Sequence, residues 1–278
     1  MLSQQFSIKA LQSLRRSLQQ QLVLPTCEHI PDGEAWADMP EPDSLASLGN
    51  LFRKGGISHV EGSTPNAEGR WFISTVDPST ALQQLPGISL KPDYCLVTYL
   101  YRIRKANSSH GGAVTWAMAN KFSTTSHLEA ALTSAGDHNT PPYPEGALFN
   151  YMNAITGNWT AGSFVVASVL QRELREFGRC GHFHRWQHHH LIGAIPAQCQ
   201  WKWRMETPKS LMPRVHALNN GKVVVEFYTC RTAQPITIFR HVDRYPPHSY
   251  VAKSSDQAIA TAITKRQKLR QTTTVKSN

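Results

Sequence analysis

Ile8, Leu11, Leu14, Leu18 and Leu22 recur at three- and four-residue spacing, and Pro25 closes the run. Side chains at that spacing share one face of an α-helix, so residues 6–22 are expected to form an amphipathic helix. Its stripe holds no Trp or Phe and its polar face is rich in glutamine, so it is expected to pack on the protein rather than lie on a membrane. From residue 25 to residue 70 the periodicity stops. Pro31-Asp-Gly33, Pro40-Glu-Pro42 and Gly62-Ser-Thr-Pro65 are turn sequences, with one short helix expected over residues 44–52.

Residues 71–76, 94–104 and 113–119 are rich in β-branched and aromatic side chains and predict strands, the last two joined as a hairpin through the polar break at residues 105–112. Residues 124–134 and 145–155 predict short helices. Residues 163–177 predict a longer one, with Phe164, Ala167, Leu170, Leu174 and Phe177 on one face and Gly178 as its stop. The period then changes to two. Residues 190–196, 200–205, 214–218, 222–229 and 236–245 predict strands, and Asn220-Gly221 predicts a hairpin turn, so the last three form an antiparallel meander. Ala258, Ile259, Ala262 and Ile263 predict a helical start to the C-terminal segment.

Strands grouped apart from a helical stretch define an α+β fold with a mainly antiparallel sheet, a C-terminal β-meander and a few packed helices. No Gly-x-Gly-x-x-Gly or phosphate-loop motif is present, which excludes the usual sequence signs of a doubly wound nucleotide fold. The expected organisation is an N-terminal helix over 1–24, an acidic Pro/Gly-rich linker over 25–69, a globular domain over 70–252 and a basic tail over 253–278.

The net charge of +10 sits at the ends. Residues 1–22 carry Lys9, Arg15 and Arg16 with no acid, and residues 253–278 carry Lys253, Lys265, Arg266, Lys268, Arg270 and Lys276 against Asp256 alone. Within the remainder, residues 28–77 hold nine acids and three bases, which reverses the sign locally. Cations concentrated this way supply non-specific attraction to an anionic surface. Arg15, Arg16, Lys265, Arg266, Lys268 and Arg270 are therefore the candidate contacts to an anionic protein or nucleic acid. The five cysteines, Cys27, Cys95, Cys180, Cys199 and Cys230, include no Cys-x-x-Cys pair. That argues for a reducing, cytoplasmic setting, as does the absence of a secretory-signal pattern in residues 1–24 and of any apolar run long enough to span a membrane.

Residues 177–191 concentrate His182, His184, His188, His189 and His190 beside Cys180 and Trp186. In an extended chain His182, His184, His188 and His190 project to one face, and a divalent metal such as zinc is the cofactor they would hold, with His216, Glu226 or His241 as a further ligand. The alternative is an exposed or interface strand. Cys180 as a nucleophile is disfavoured because it follows the C-terminal end of a helix, whose dipole opposes a thiolate. Arg172, Glu173, Arg175 and Glu176 are expected on a solvated helix face, with Arg172 and Glu176 paired. Trp201 and Trp203 alternate with Lys202 and Arg204, placing tryptophans inward and cations in water. Single-stranded nucleic acid would need aromatics on a cationic face, for which Arg231, Arg240 and Arg244 are the neighbouring cations.

Five segments, Pro144-Glu-Gly-Ala-Leu148, Arg172-Glu-Leu-Arg-Glu-Phe-Gly178, Trp201-Lys-Trp203, Phe227-Tyr-Thr229 and Arg240-His-Val-Asp-Arg-Tyr245, make residues 144–250 similar to a conserved family of uncharacterised cyanobacterial proteins. The resemblance implies a cytoplasmic protein of a photosynthetic bacterium and assigns no catalytic residue. The chain departs from the family pattern at His188, His189 and His190. The expected function is that of a non-enzymatic binding or accessory protein contacting an anionic partner through its basic ends. A metal-dependent hydrolase built on the histidines and a nucleic-acid-binding protein are the alternatives.

Overall fold

The computed structural model describes residues 2–29, 69–105, 108–183 and 185–263. Along the chain run β1 (Leu2–Gln5), α1 (Ile8–Gln21), β2 (Trp71–Ile73), α2 (Ser79–Leu82), β3 (Ile88–Leu90), β4 (Tyr94–Tyr101), β5 (Ile103–Lys105), β6 (Ser108–His110) and β7 (Ala113–Ala119). Then follow α3 (Thr125–Thr133), β8 (Ala147–Leu148), β9 (Ile155–Gly157), α4 (Ala161–Glu176), β10 (His189–Ile192), β11 (Trp201–Trp203), β12 (Arg214–Ala217), β13 (Val223–Arg231), β14 (Thr237–Tyr245) and β15 (Lys253–Ala262). Every strand pair is antiparallel, so the chain is α+β with antiparallel sheets. Among the described residues no helix is long and apolar enough to cross a membrane.

Chain contacts define two compact units: Met1–Ser13 with Gln187–His248 and Ala252–Asn278, and Leu14–Trp186 with Ser249–Val251. In the first, seven strands form one sheet in the order β1-β12-β13-β14-β15-β11, with β10 also paired to β13. The alternation of side chains separates its faces. One carries Val225, Phe227, Thr229, His241, Asp243 and Tyr245, all buried. The other carries an apolar end built on Tyr228, Ile238 and Ala260, against which Trp201, Trp203, Ile192 and Met205 pack.

In the second unit β2, β4, β7 and β8 form a four-stranded sheet. Trp71, Ile73, Tyr99, Tyr101 and Met118 meet Leu128 and Ala131 of α3, and the Tyr99 hydroxyl donates to the Leu128 carbonyl at 2.9 Å. Phe72, Leu100 and Ala113 point the other way and pack with Leu24 and Phe177. Helix α4 starts with Thr160, whose hydroxyl accepts from the Ser163 N–H, and ends before Gly178 at φ +77°. Ser163 to Leu170 are buried without interruption, so α4 is enclosed nearly all round rather than on one stripe.

Three expected elements differ. The helix over 145–155 is absent: residues 147–148 are a strand, Asn150 Oδ1 accepts from the Met152 N–H to cap a single 3₁₀ turn, and the chain enters β9 at Ile155. The helical start near residue 254 is strand β15, held on both sides by β14 and β11. A register shift between Ile238 and Phe239 buries the consecutive residues Ile259 and Ala260, which breaks the period of two and leaves helix-like spacing in the sequence. The helix over 44–52 lies outside the described residues.

Candidate functional site

The histidine segment does not form one extended strand. Two 3₁₀ turns, Gly181–Phe183 and Trp186–His188, interrupt it, and β10 begins only at His189. The described members of the expected set, His182, His188 and His190, therefore do not alternate along one strand. His182 Nδ1 lies 2.9 Å from His110 Nδ1. His188 is half-buried, His190 is exposed on β10, and His184 lies outside the described residues. Among the described residues, no three His, Cys, Asp or Glu side chains come together as a metal-binding group. Cys180 exchanges backbone hydrogen bonds with Gly111, at 3.0 and 3.3 Å.

Trp186 turns the segment because two buried carboxylates of α4 hold it. Its backbone N–H donates to Glu176 Oε2 at 2.7 Å and its indole N–H to Glu173 Oε1 at 2.6 Å. Arg15 Nε donates to the same Glu173 oxygen at 2.5 Å, and its guanidinium stands 4.8 Å from the Trp186 ring centroid. Arg172, 1% exposed, donates to the Ser168 carbonyl and lies 5.7 Å from that ring. The expectation of a solvated face holds for Arg175, which is exposed, and is corrected for Arg172, Glu173 and Glu176, which are buried beside Trp186 and find partners inside the unit. Arg15 is 7% exposed, so its charge is spent on Glu173, whereas Arg16 is exposed.

On the face of the seven-stranded sheet that carries Thr229 and His241, four polar side chains join in a row that runs from three buried ones to the exposed Asp256. Thr229 Oγ1 lies 2.8 Å from His189 Nδ1 and 2.7 Å from His241 Nε2, and His241 Nδ1 lies 2.7 Å from Asp256 Oδ1. Each comes from a different strand, β10, β13, β14 and β15. With Nδ1 as the donor to Asp256 Oδ1, His241 offers Nε2 to the Thr229 hydroxyl, and the Thr229 oxygen accepts from the His189 Nδ1–H.

Hydroxyl, imidazole and carboxylate in sequence are the parts of a nucleophilic triad. Thr229 is 0% and His241 1% exposed, however, and Phe227 stacks on the His241 ring at 4.9 Å. A substrate has no approach to that hydroxyl in this structure, so the row acts as a polar brace across four strands. His189, Thr229 and Asp256 were not legible as its members, since only strand register brings them together.

Beyond its apolar end, where Tyr228, Ile238 and Ala260 are buried, the opposite face of the same sheet is open and collects cations. Across it, His216, Val224, Arg244 and Lys253 stand in one row, Arg214, Glu226, Val242 and Ser255 in the next, then Tyr228, Arg240 and Gln257. Arg244 and Lys253 are exposed, and Arg214, His216 and Arg240 are half-buried. Glu226 is the single acid in these rows. It accepts from Arg240 Nη2 at 3.0 Å and from the Tyr228 hydroxyl. Burial alone would raise the Glu226 pKa, but these hydrogen bonds and the charges of Arg240 and Arg214 outweigh it and hold the carboxyl below its usual range. The next row holds Cys230, Ile238, Ala260 and Trp203, with Trp201 two residues along β11. Both tryptophans are half-buried, and Lys202 and Arg204 are exposed. Trp201 and Trp203 alternate with their neighbouring cations as expected, but pairing brings the cations of other strands onto their face.

Comparison with protein-family models, with curated proteins and with solved structures finds no match to this chain.

Proposed function

We propose that the chain is a non-enzymatic binding protein that holds an anionic partner with the open sheet face of its first unit and with the basic run Lys265, Arg266, Lys268 and Arg270. The observation that carries this reading is the direct opposition of Arg244 and Lys253 on neighbouring strands. Like charges facing each other across an antiparallel pair cost the sheet stability, of the order of 0.2–1 kcal/mol. A patch that retains this cost, with Arg214, His216 and Arg240 alongside, is built to receive negative charge.

The four C-terminal cations lie outside the described residues; their part rests on the sequence, where residues 264–278 hold five bases and no acid. The test is retention of the protein on an immobilised polyanion over a salt gradient. Elution should move to lower salt when Lys265, Arg266, Lys268 and Arg270 are changed together to glutamine. A protein that passes through unretained at low salt would overturn the reading.

A further inference from the structure

The anionic partner is open to a finer assignment, because the open face carries more than charge. We infer that this face binds single-stranded nucleic acid, with Arg214, Arg240, Arg244 and Lys253 along the phosphates and Trp201 and Trp203 beneath the bases. The inference rests on the anion-binding reading above and names the chemistry of its partner.

Binders of single strands combine a cationic track with aromatic rings on one surface, since every base offers a π-face whatever its sequence. An acidic polypeptide needs only the cations. In this sheet both features share a face. Trp203 stands in the row of Ala260, Ile238 and Cys230, and Arg240 follows Ile238 by two residues on β14, so the indole and the guanidinium project to the same side. With strands about 4.8 Å apart and residues about 3.3 Å apart along each, Trp203 and Arg240 are roughly 12 Å from each other, a span of a few nucleotides. Trp201 and Trp203 are two positions apart, about 6.7 Å along one strand, which suits successive splayed bases. The indole N–H of Trp201 donates to the Pro196 carbonyl at 2.9 Å, fixing its ring.

Buried polar atoms point the same way. Arg240 Nε and His216 Nδ1, both on this face, have no hydrogen-bond partner among the described residues. Such orphans call for an explanation, and side chains held ready to re-orient toward an incoming anion supply one.

The experiment measures fluorescence anisotropy of a labelled oligo(dT) strand of about 16 nucleotides, with the full chain, between about 50 and 200 mM salt. Polyglutamate serves as competitor. Arg244→Glu is the first variant, because opposite Lys253 it creates a favourable cross-strand pair: thermal stability should hold or rise while oligo(dT) affinity falls about tenfold and the salt slope by about one to two contacts. Trp203→Leu, its folding verified by thermal unfolding, should weaken oligo(dT) binding about tenfold with polyglutamate binding unchanged. Lys253→Glu gives an independent second charge reversal. If polyglutamate displaces the strand at equal charge concentration and Trp203→Leu changes nothing, the partner is an acidic protein and this inference falls while the anion-binding reading stands. If oligo(dT) binding survives Arg244→Glu and Lys253→Glu and is lost only when the four C-terminal cations are neutralised, the face is not the site. If neither probe binds at low salt, both readings fall.

Discussion

His241 places Nδ1 2.7 Å from the Asp256 carboxylate and Nε2 2.7 Å from the Thr229 hydroxyl, so one buried ring ties β15 to β13 through β14. Thr229 is the pivot, because its single oxygen also meets His189. Thr229→Val keeps the shape and removes the hydroxyl, leaving ring nitrogens of His189 and His241 buried without that partner. Each such group costs about 1–3 kcal/mol, so the variant should lose about 2–6 kcal/mol in urea unfolding, and Thr229→Ser should recover most of it. Equal stability of Val and wild type would show that the row carries no energetic weight.

Two carboxylates give stability opposite dependence on pH. Glu226, held low, contributes stability that is present above the usual carboxylate range and lost as pH falls through its folded pKa. Glu176 differs. Burial raises its pKa, and the N–H groups of Trp186 and Arg185 pull it down without cancelling that rise. Its contribution is fully present below the unfolded value, about 4.3, and is lost as pH rises through the folded one. Glu226→Gln should therefore flatten the acid limb of the stability profile. Glu176→Gln, whose amide oxygen still accepts from Trp186, should flatten the decline on the less acidic side. Denaturant titrations at intervals from about pH 3 to pH 7 separate the two, and identical profiles for both variants and wild type would contradict the assignments.

Much of the architecture was legible because it depends on local periodicity. Helix α1, helix α4 and strands β4, β7, β13 and β14 sit close to where side-chain spacing put them, and Gly178 stops α4 as a residue with positive φ should. What escaped depends on which segment packs on which. Glu28 reads as one acid of a polar linker, yet it is 3% exposed and accepts from Ser74 Oγ, Thr75 Oγ1 and the Thr75 N–H. Glu173 and Glu176 read as helix surface because nothing local announces that Trp186 will fold back onto them. The charged face carrying Arg244, Lys253 and Trp203 is assembled from three strands, so no window of sequence contains it.

Arg15 and Glu173 test the cost of a buried pair. Arg15→Met keeps the stem and removes the guanidinium, leaving Glu173 with the Trp186 indole and Gln19, 3.3 Å away, as remaining donors. Breaking a buried pair from one side costs about 3–5 kcal/mol, toward the lower figure here because those donors persist. In the double variant Arg15→Met with Glu173→Gln the carboxylate charge is gone, so stability should recover substantially. Thermal unfolding of the four proteins of the cycle gives the coupling directly, and strict additivity would place the pair's energy elsewhere.

Gly178 and Gly221 share nearly the same backbone, φ +77° and +74°, in different surroundings. A Cβ on Gly221 would meet Pro247 at 3.4 Å, an ordinary contact, so Gly221→Ala should cost only the left-handed strain, about 1–2 kcal/mol. A Cβ on Gly178 would fall 2.3 Å from Leu100 Cδ2 and 3.1 Å from the Ala113 Cβ, where the sheet of the second unit meets Phe177. Leu100 is fully buried and has little room to yield. Overpacking adds about 1–3 kcal/mol to the same strain, so Gly178→Ala should be the more destabilising by that margin in urea unfolding. Equal losses would mean that Leu100 moves aside at no cost and that α4 ends at Gly178 for backbone reasons alone.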